Sequence, residues 1–210
     1  MDFIMQGLEF FHKGGFVMYI LLLCSIFVVT IAVERAMYFH RADSGRRFAR
    51  EFYLLLANGK TAEARNMAHT ASGILAEILY SAMIKLEKNV RHISSYMEIQ
   101  SGIALSKLRS RLYYLSVIVT MAPLLGLLGT ISGMISAFSI FNLESGQAMA
   151  ITGGIGEALI ATAMGLCVAI ISLAIHAYFM QRIENIITDM EQCFSMLENQ
   201  KEQVRDHETA

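Results

Sequence analysis

Ala122-Pro123-Leu124-Leu125-Gly126-Leu127-Leu128-Gly129-Thr130-Ile131-Ser132-Gly133-Met134 lies inside a stretch, residues 112–143, that holds no charged side chain. A membrane helix needs about 20 apolar residues to cross a ~30 Å hydrocarbon core, so this run is longer than one crossing requires. The surplus predicts a helix that projects from the membrane before it spans. Gly129, Gly133 and Ala137 recur every four residues, and Gly126 lies one position off that series. Helices in lipid gain little by burying leucine and approach one another through small residues instead. Gly126, Gly129 and Gly133, with Pro123 at a bend, are therefore the expected packing positions. They do not form a nucleotide cradle, because no strand leads a G-x-G-x-x-G and no Walker lysine is present.

Downstream, residues 148–179 form a second long apolar run, interrupted only by Glu157 and His176. Ala161, Gly165 and Ala169 repeat the four-residue spacing, and Ala161 and Gly165 are the expected packing partners on this helix. The two runs are joined by Asn142-Leu143-Glu144-Ser145-Gly146-Gln147, a short polar turn without Lys or Arg, as an external loop should be. Arg182 closes the second run on the inner side. Ile183, Ile186, Ile187, Met190, Phe194 and Leu197 then continue a helical stripe. The residues from about Lys201 onward are expected to be disordered.

Upstream, residues 14–33 also lack charge and are long enough for one crossing. Glu34-Arg35 ends that span, and Arg41, Arg46, Arg47 and Arg50 follow, which makes this end cytoplasmic by the positive-inside rule. Of the 17 Lys and Arg, 13 fall between Arg35 and Arg111, and none between Leu112 and Gln181. The polar block they mark is rich in helix formers. Asn58-Gly59 breaks it, and Thr61 with Glu63 opens a new helix. Ile74, Leu75, Ile78, Leu79, Ala82 and Leu86 make one apolar face; Ile93, Met97, Ala104 and Leu108 make another. The latter runs into the second span without a breaker, so one continuous helix is expected there.

The expected fold is an all-α integral membrane protein with three transmembrane helices, N-terminus out and C-terminus in, the second and third extended into the cytoplasm. Residues 1–13 are an external amphipathic segment, 14–34 the first transmembrane helix and 35–111 a cytoplasmic helical block. Residues 112–143 are the second transmembrane helix with its extension, 144–149 an external turn, 150–181 the third transmembrane helix and 182–210 a cytoplasmic tail. Composition agrees: 55% hydrophobic and 17% charged, with mean hydropathy +0.48, against about 45–50% and 25% in soluble domains. No basic leader precedes the first apolar run, so a cleaved signal peptide is not expected. Cys24, Cys167 and Cys193 are too scattered for a disulfide framework or a zinc site, and the first two read as small buried hydrophobes.

An acidic residue near mid-span costs about 2.5–3.5 kcal/mol to insert, even by the mildest scale, and is usually kept for a pathway or a partner. Glu157 is such a residue. If Gly146 is the hairpin apex, Thr130 lies 16 residues before it and Thr162 lies 16 after, so both occupy one depth near mid-membrane. Glu157 lies 11 after the apex and Ser136 lies 10 before. The result is an expected polar ladder of Glu157, Ser136, Thr130 and Thr162. Glu157 and Thr162 are five apart, about 140° around an ideal helix, so one faces a neighbouring helix while the other faces a lumen. The bland alternative is a permanently protonated Glu157 bonded to a neighbouring hydroxyl. His176 reads as an interfacial side chain.

The motifs A-P-L-L-G-L-L-G-T-I-S-G-M at 122–134 and G-I-G-E-A-L-I-A-T-A-M-G-L at 154–166 resemble the signatures of the MotA/TolQ/ExbB proton channel family. The three-span layout, the Glu34-Arg35 boundary and the two helix extensions resemble its ExbB/TolQ branch; MotA-type members carry four spans. Ser132 departs from that pattern, standing where ExbB members often have a bulky residue. The resemblance implies a homo-oligomeric ring, a pentamer, in the bacterial inner membrane. It implies an ExbD- or TolR-like single-span dimer inside the ring, whose membrane aspartate carries a proton, and a TonB- or TolA-like periplasm-spanning protein driven by it. It places Thr130, Thr162 and Glu157 along the ion path.

No cofactor, metal or nucleic acid is expected, and the transported ion is read as H⁺. The residues assemble no catalytic nucleophile, metal cluster or carboxylate pair, so an enzyme is not expected. The rival readings are a passive scaffold that stabilises a partner without conducting ions, and a MotA-like stator subunit. A solute transporter fits poorly, since inverted repeats and broken helices are missing.

Overall fold

The computed structural model describes residues 15–88, 92–143 and 148–209, with side chains undescribed at 139–143, 148–152, 157 and 201–209. The expected external segment 1–13 and most of the expected turn 144–149 lie outside the described residues. Seven helices are described: α1 (Gly15–Ala42), α2 (Arg46–Ala57), α3 (Thr61–Thr70), α4 (Ile74–Glu87), α5 (Ile93–Arg109), α6 (Leu112–Leu143) and α7 (Ala148–Thr209). No strand occurs among the described residues. Three helical stretches, beginning at Gly15, Ile93 and Gly153, are long and apolar enough to cross a membrane.

The chain divides into two compact units. The first comprises residues 1–33 and 111–177, the second residues 34–110 and 178–210. In the first unit, the N-terminal part of α1 packs with α6 and the first half of α7. Its interior holds Val17, Met18, Leu21, Leu112, Leu115, Ala122, Ala161 and Val168, while Phe16, Leu23, Leu124, Ile135, Leu159 and Ile170 stand exposed. Large apolar residues stand on the outside as well as inside, and small ones, Ala122, Ala161 and Gly165, share the interior, an arrangement suited to lipid. Cys167 is exposed and Cys24 half-buried, while the fully buried cysteine is Cys193. The expectation that the first two are core hydrophobes therefore fails for Cys167, because the inward face of α7 is taken by Gly165, Val168 and Ala169.

The second unit packs the end of α1, helices α2 to α5 and the later part of α7 around Phe39, Phe52, Leu56, Leu79, Met97, Leu108, Ile183 and Met190. Helix α2 buries Phe48, Ala49, Phe52 and Leu56, one face at helical spacing. Cationic side chains fasten its corners. Arg182 Nη2 donates to Asp43 Oδ2 at 2.7 Å, and Arg46 Nη2 to Asn185 Oδ1 at 2.6 Å. The turn at Gly45 needs φ +83°, a left-handed value that glycine adopts without strain.

Arg35 is the charged residue the core accepts, 3% exposed. Its Nε and Nη2 fork onto the Glu34 carboxylate at 2.7 and 2.8 Å, and its ring neighbour Tyr38 lies 4.7 Å below the guanidinium. Nη1 donates to the carbonyls of Lys107 (3.1 Å) and Leu108 (3.5 Å) near the end of α5.

Two expectations need correction. The helix from residue 93 into the second span is not continuous: a two-residue turn at Ser110-Arg111 separates α5 from α6. The carbonyl of Lys107 accepts both the Arg35 guanidinium and the Ser110 hydroxyl (3.0 Å) beside this turn. The tail past Lys201 is helical to Thr209, as its run of Lys, Glu, Gln and Arg favours.

Candidate functional site

The site is the face where α6 meets α7 within the first unit. Glycine makes it possible. A methyl group placed on Gly165 would lie 2.5 Å from the Ala122 carbonyl oxygen and 3.0 Å from Gly126 Cα, both backbone atoms. A methyl on Gly126 would lie 3.0 Å from Thr162 Cα. Further along, the Ala161 methyl occupies the space beside Gly129, that of Ala158 lies beside Gly133, and that of Ala137 lies beside Gly154. The packing positions expected from spacing thus meet in one seam.

At this close approach the Thr162 hydroxyl reaches across and donates to the Gly126 carbonyl at 3.0 Å. Thr130 instead donates within its own helix, to the Leu127 carbonyl at 2.7 Å. Both threonines are half-buried, and Ser132 and Ser136 are exposed. Each threonine commits its single proton to a carbonyl and keeps its lone pairs. Toward any third group, both hydroxyls are therefore acceptors, suited to a hydrated cation or a protonated carboxyl more than to an anion.

The contacts across the seam, Gly129 with Ala161, Gly133 with Ala158 and Ala137 with Gly154, follow closely the register expected from a Gly146 apex. Thr162 meets Gly126 while its neighbour Ala161 meets Gly129, so Thr130 and Thr162 lie within about one helical turn of each other in height. The backbone of Glu157 precedes Ala158, whose methyl lies against Gly133, three residues before Ser136. Pro123 lies inside α6, which continues through it from Leu112 to Leu143. The Glu157 side chain lies outside the described residues. His176 is half-buried.

Sequence reasoning passed over one inward polar group. Ser172, on the same face of α7 as Gly165 and Ala169, is fully buried, and its hydroxyl makes no hydrogen bond. A serine in an apolar run reads as one more small residue, so only the packed structure distinguishes it.

The seam coincides with a family signature. Residues 70–192 match the MotA/TolQ/ExbB proton channel family. An ExbB-like biopolymer transport protein of Synechocystis sp. is 36% identical over 177 residues, covering 80% of this chain and 68% of that protein. The chain belongs to the MotA/TolQ/ExbB proton channel family. Biopolymer transport protein ExbB of Aquifex aeolicus is 31% identical over 127 residues, 57% of this chain and 85% of the relative. Tol-Pal system protein TolQ of Haemophilus influenzae is 30% identical over 109 residues, covering 51% of this chain and 45% of the relative. Within the family, the similarity lies with the ExbB/TolQ branch, as the two motifs and three long apolar helices suggested.

Proposed function

We propose that this chain is the ring-forming subunit of an ion-driven motor in the bacterial inner membrane. In this reading, five copies surround a dimer of a single-span, ExbD- or TolR-like partner, with the N-terminus outside and the C-terminus inside. Proton flow through the ring is converted into work on a TonB- or TolA-like protein that reaches the outer membrane. The names of the relatives, ExbB and TolQ, support a system of this type.

The observation that carries the mechanism is the Thr162 hydroxyl fixed on the Gly126 carbonyl at the closest approach of two membrane helices. Thr162 and Thr130 offer lone pairs where a partner's carboxyl would pass. They solvate its protonated form and so permit it to cross an apolar level while neutral. Glu157 supplies a second titratable carboxyl, and Ser136 a further hydroxyl, on the outer part of the same hairpin. A proton moving through ~100 mV releases about 2.3 kcal/mol, enough to bias a shift between two packed arrangements.

The test replaces the hydroxyl while keeping the shape. Thr162→Val should abolish energised function with the complex still assembled, and Thr162→Ser should retain it; Glu157→Ala should behave as Thr162→Val. Full activity of both Thr162→Val and Glu157→Ala would overturn the proposal and favour a passive scaffold.

A further inference from the structure

The second unit holds a cleft for which an ion path has no use. It is an open hollow between α3 and α4 of about 440 Å³, with Arg65, Asn66 and His69 exposed on its rim. Arg65, Asn66 and His69 line one wall, and Tyr80 and Ile84, one turn apart on α4, line the other. The His69 and Tyr80 rings meet across it with centroids 4.9 Å apart. Guanidinium, amide, imidazole and phenol are all hydrogen-bond donors or can become so, and no acid is among the described lining residues.

One carboxylate already reaches the guanidinium. Arg65 Nη1 donates to Glu87 Oε1, from the last residue of α4. The two side chains are 44% and 57% exposed, and ion pairs so exposed contribute only about 0–1 kcal/mol. An incoming anion can therefore displace Glu87 at small cost. Arg65 would then offer a planar fork, the geometry that pairs two-pronged with carboxylate or phosphate.

We propose that this cleft binds a small soluble oxyanion compound, a carboxylate or a phosphate, with Arg65 as its charge partner and Glu87 as an internal competitor. Asn66, His69 and Tyr80 orient the anion, and Ile84 covers its less polar part. Binding exchanges the Glu87 contact for the ligand and thereby loosens the Arg65 tie between α3 and α4. The cleft lies in the second unit and the membrane seam in the first, and the proposal stands whether or not the chain conducts ions.

The test is calorimetric titration of the full-length complex in uncharged detergent, with inorganic phosphate in one arm and malonate in another. Saturable binding of at least one anion is expected. Arg65→Gln should weaken it about tenfold, the worth of one charge-assisted pair, while Glu87→Gln tightens it several-fold with unchanged helix content. A merely structural ion pair would make Glu87→Gln neutral or harmful, never tighter. The proposal is overturned by absence of saturable heat from both anions, or by equal affinity in wild type and Arg65→Gln. It is also overturned by a response confined to added phosphatidylglycerol, which would assign the cleft to a lipid headgroup.

Discussion

Arg35 brings its guanidinium into a site closed to solvent and spends its donors on one carboxylate and two backbone carbonyls. Losing it leaves the carbonyls of Lys107 and Leu108 without that donor. Glu34 is 30% exposed and water can take over its carboxylate, so Arg35→Met should lower the unfolding free energy of the purified chain by about 1–3 kcal/mol, the cost of the carbonyls left without a donor, and Arg35→Lys should recover only part, since a lysine cannot fork. Denaturant titration checks both. Asp189, beyond the third apolar span, behaves differently. Burial, and then the nearby Asp43 charge, hold its carboxyl above the usual carboxylate range, with Arg46 pulling the other way. A raised acid means that the folded chain binds the proton more tightly than the unfolded one. Stability from this group is thus present at low pH and declines as pH rises above 3.8, the ordinary value, through the folded value. Asp189→Asn should make the chain more stable at neutral pH, with the advantage vanishing in acid. A melting series across pH reads this directly. At this scale the sequence announced residue types and little of their partners. Glu34-Arg35 was visible as a boundary pair, while its two carbonyl acceptors 72 and 73 residues away were not.

At the scale of elements, the small-residue periodicity of α6 and α7 was legible because lipid leaves close packing as the chief force between spans. Gly126, Gly129 and Gly133 do meet α7 as their spacing required. Relative height was legible to within about a turn, while the partner of each hydroxyl was not, because it depends on helix rotation, which is not written in a count of residues. Gly165→Ala forces a methyl onto two backbone atoms of α6 and should destabilise the hairpin by about 1–3 kcal/mol. Gly102→Ala, in α5, meets open space and should stabilise by about 0.5–1 kcal/mol, through the entropy glycine loses in a helix. Thermal unfolding of the two variants side by side separates packing from propensity. The break at Ser110-Arg111 escaped a reading based on breakers, since neither residue is one. At it the Lys107 carbonyl accepts the Arg35 guanidinium, a contact 72 residues away in sequence.

For the whole molecule, the decisive features are large ones: three apolar helices, a basic block after the first, and a charge-free stretch from Leu112 to Gln181 interrupted only by Glu144 and Glu157, with His176 near its end. These were plain in the sequence because membrane insertion acts on average composition over some 20 residues. The proposed orientation predicts that a periplasm-dependent reporter fused after residue 210 stays inactive, and that activity there would reverse the topology. The central claim, that α6 and α7 wall an ion path, is tested most directly by proton flux. The chain and its single-span partner would be reconstituted in liposomes under an imposed membrane potential. The account predicts flux in the wild type that falls at least about tenfold in Thr162→Val, where a hydrogen bond of the pathway is lost, at equal yield of complex. Flux undiminished in Thr162→Val and in Glu157→Ala, or none in the wild type complex, would contradict it.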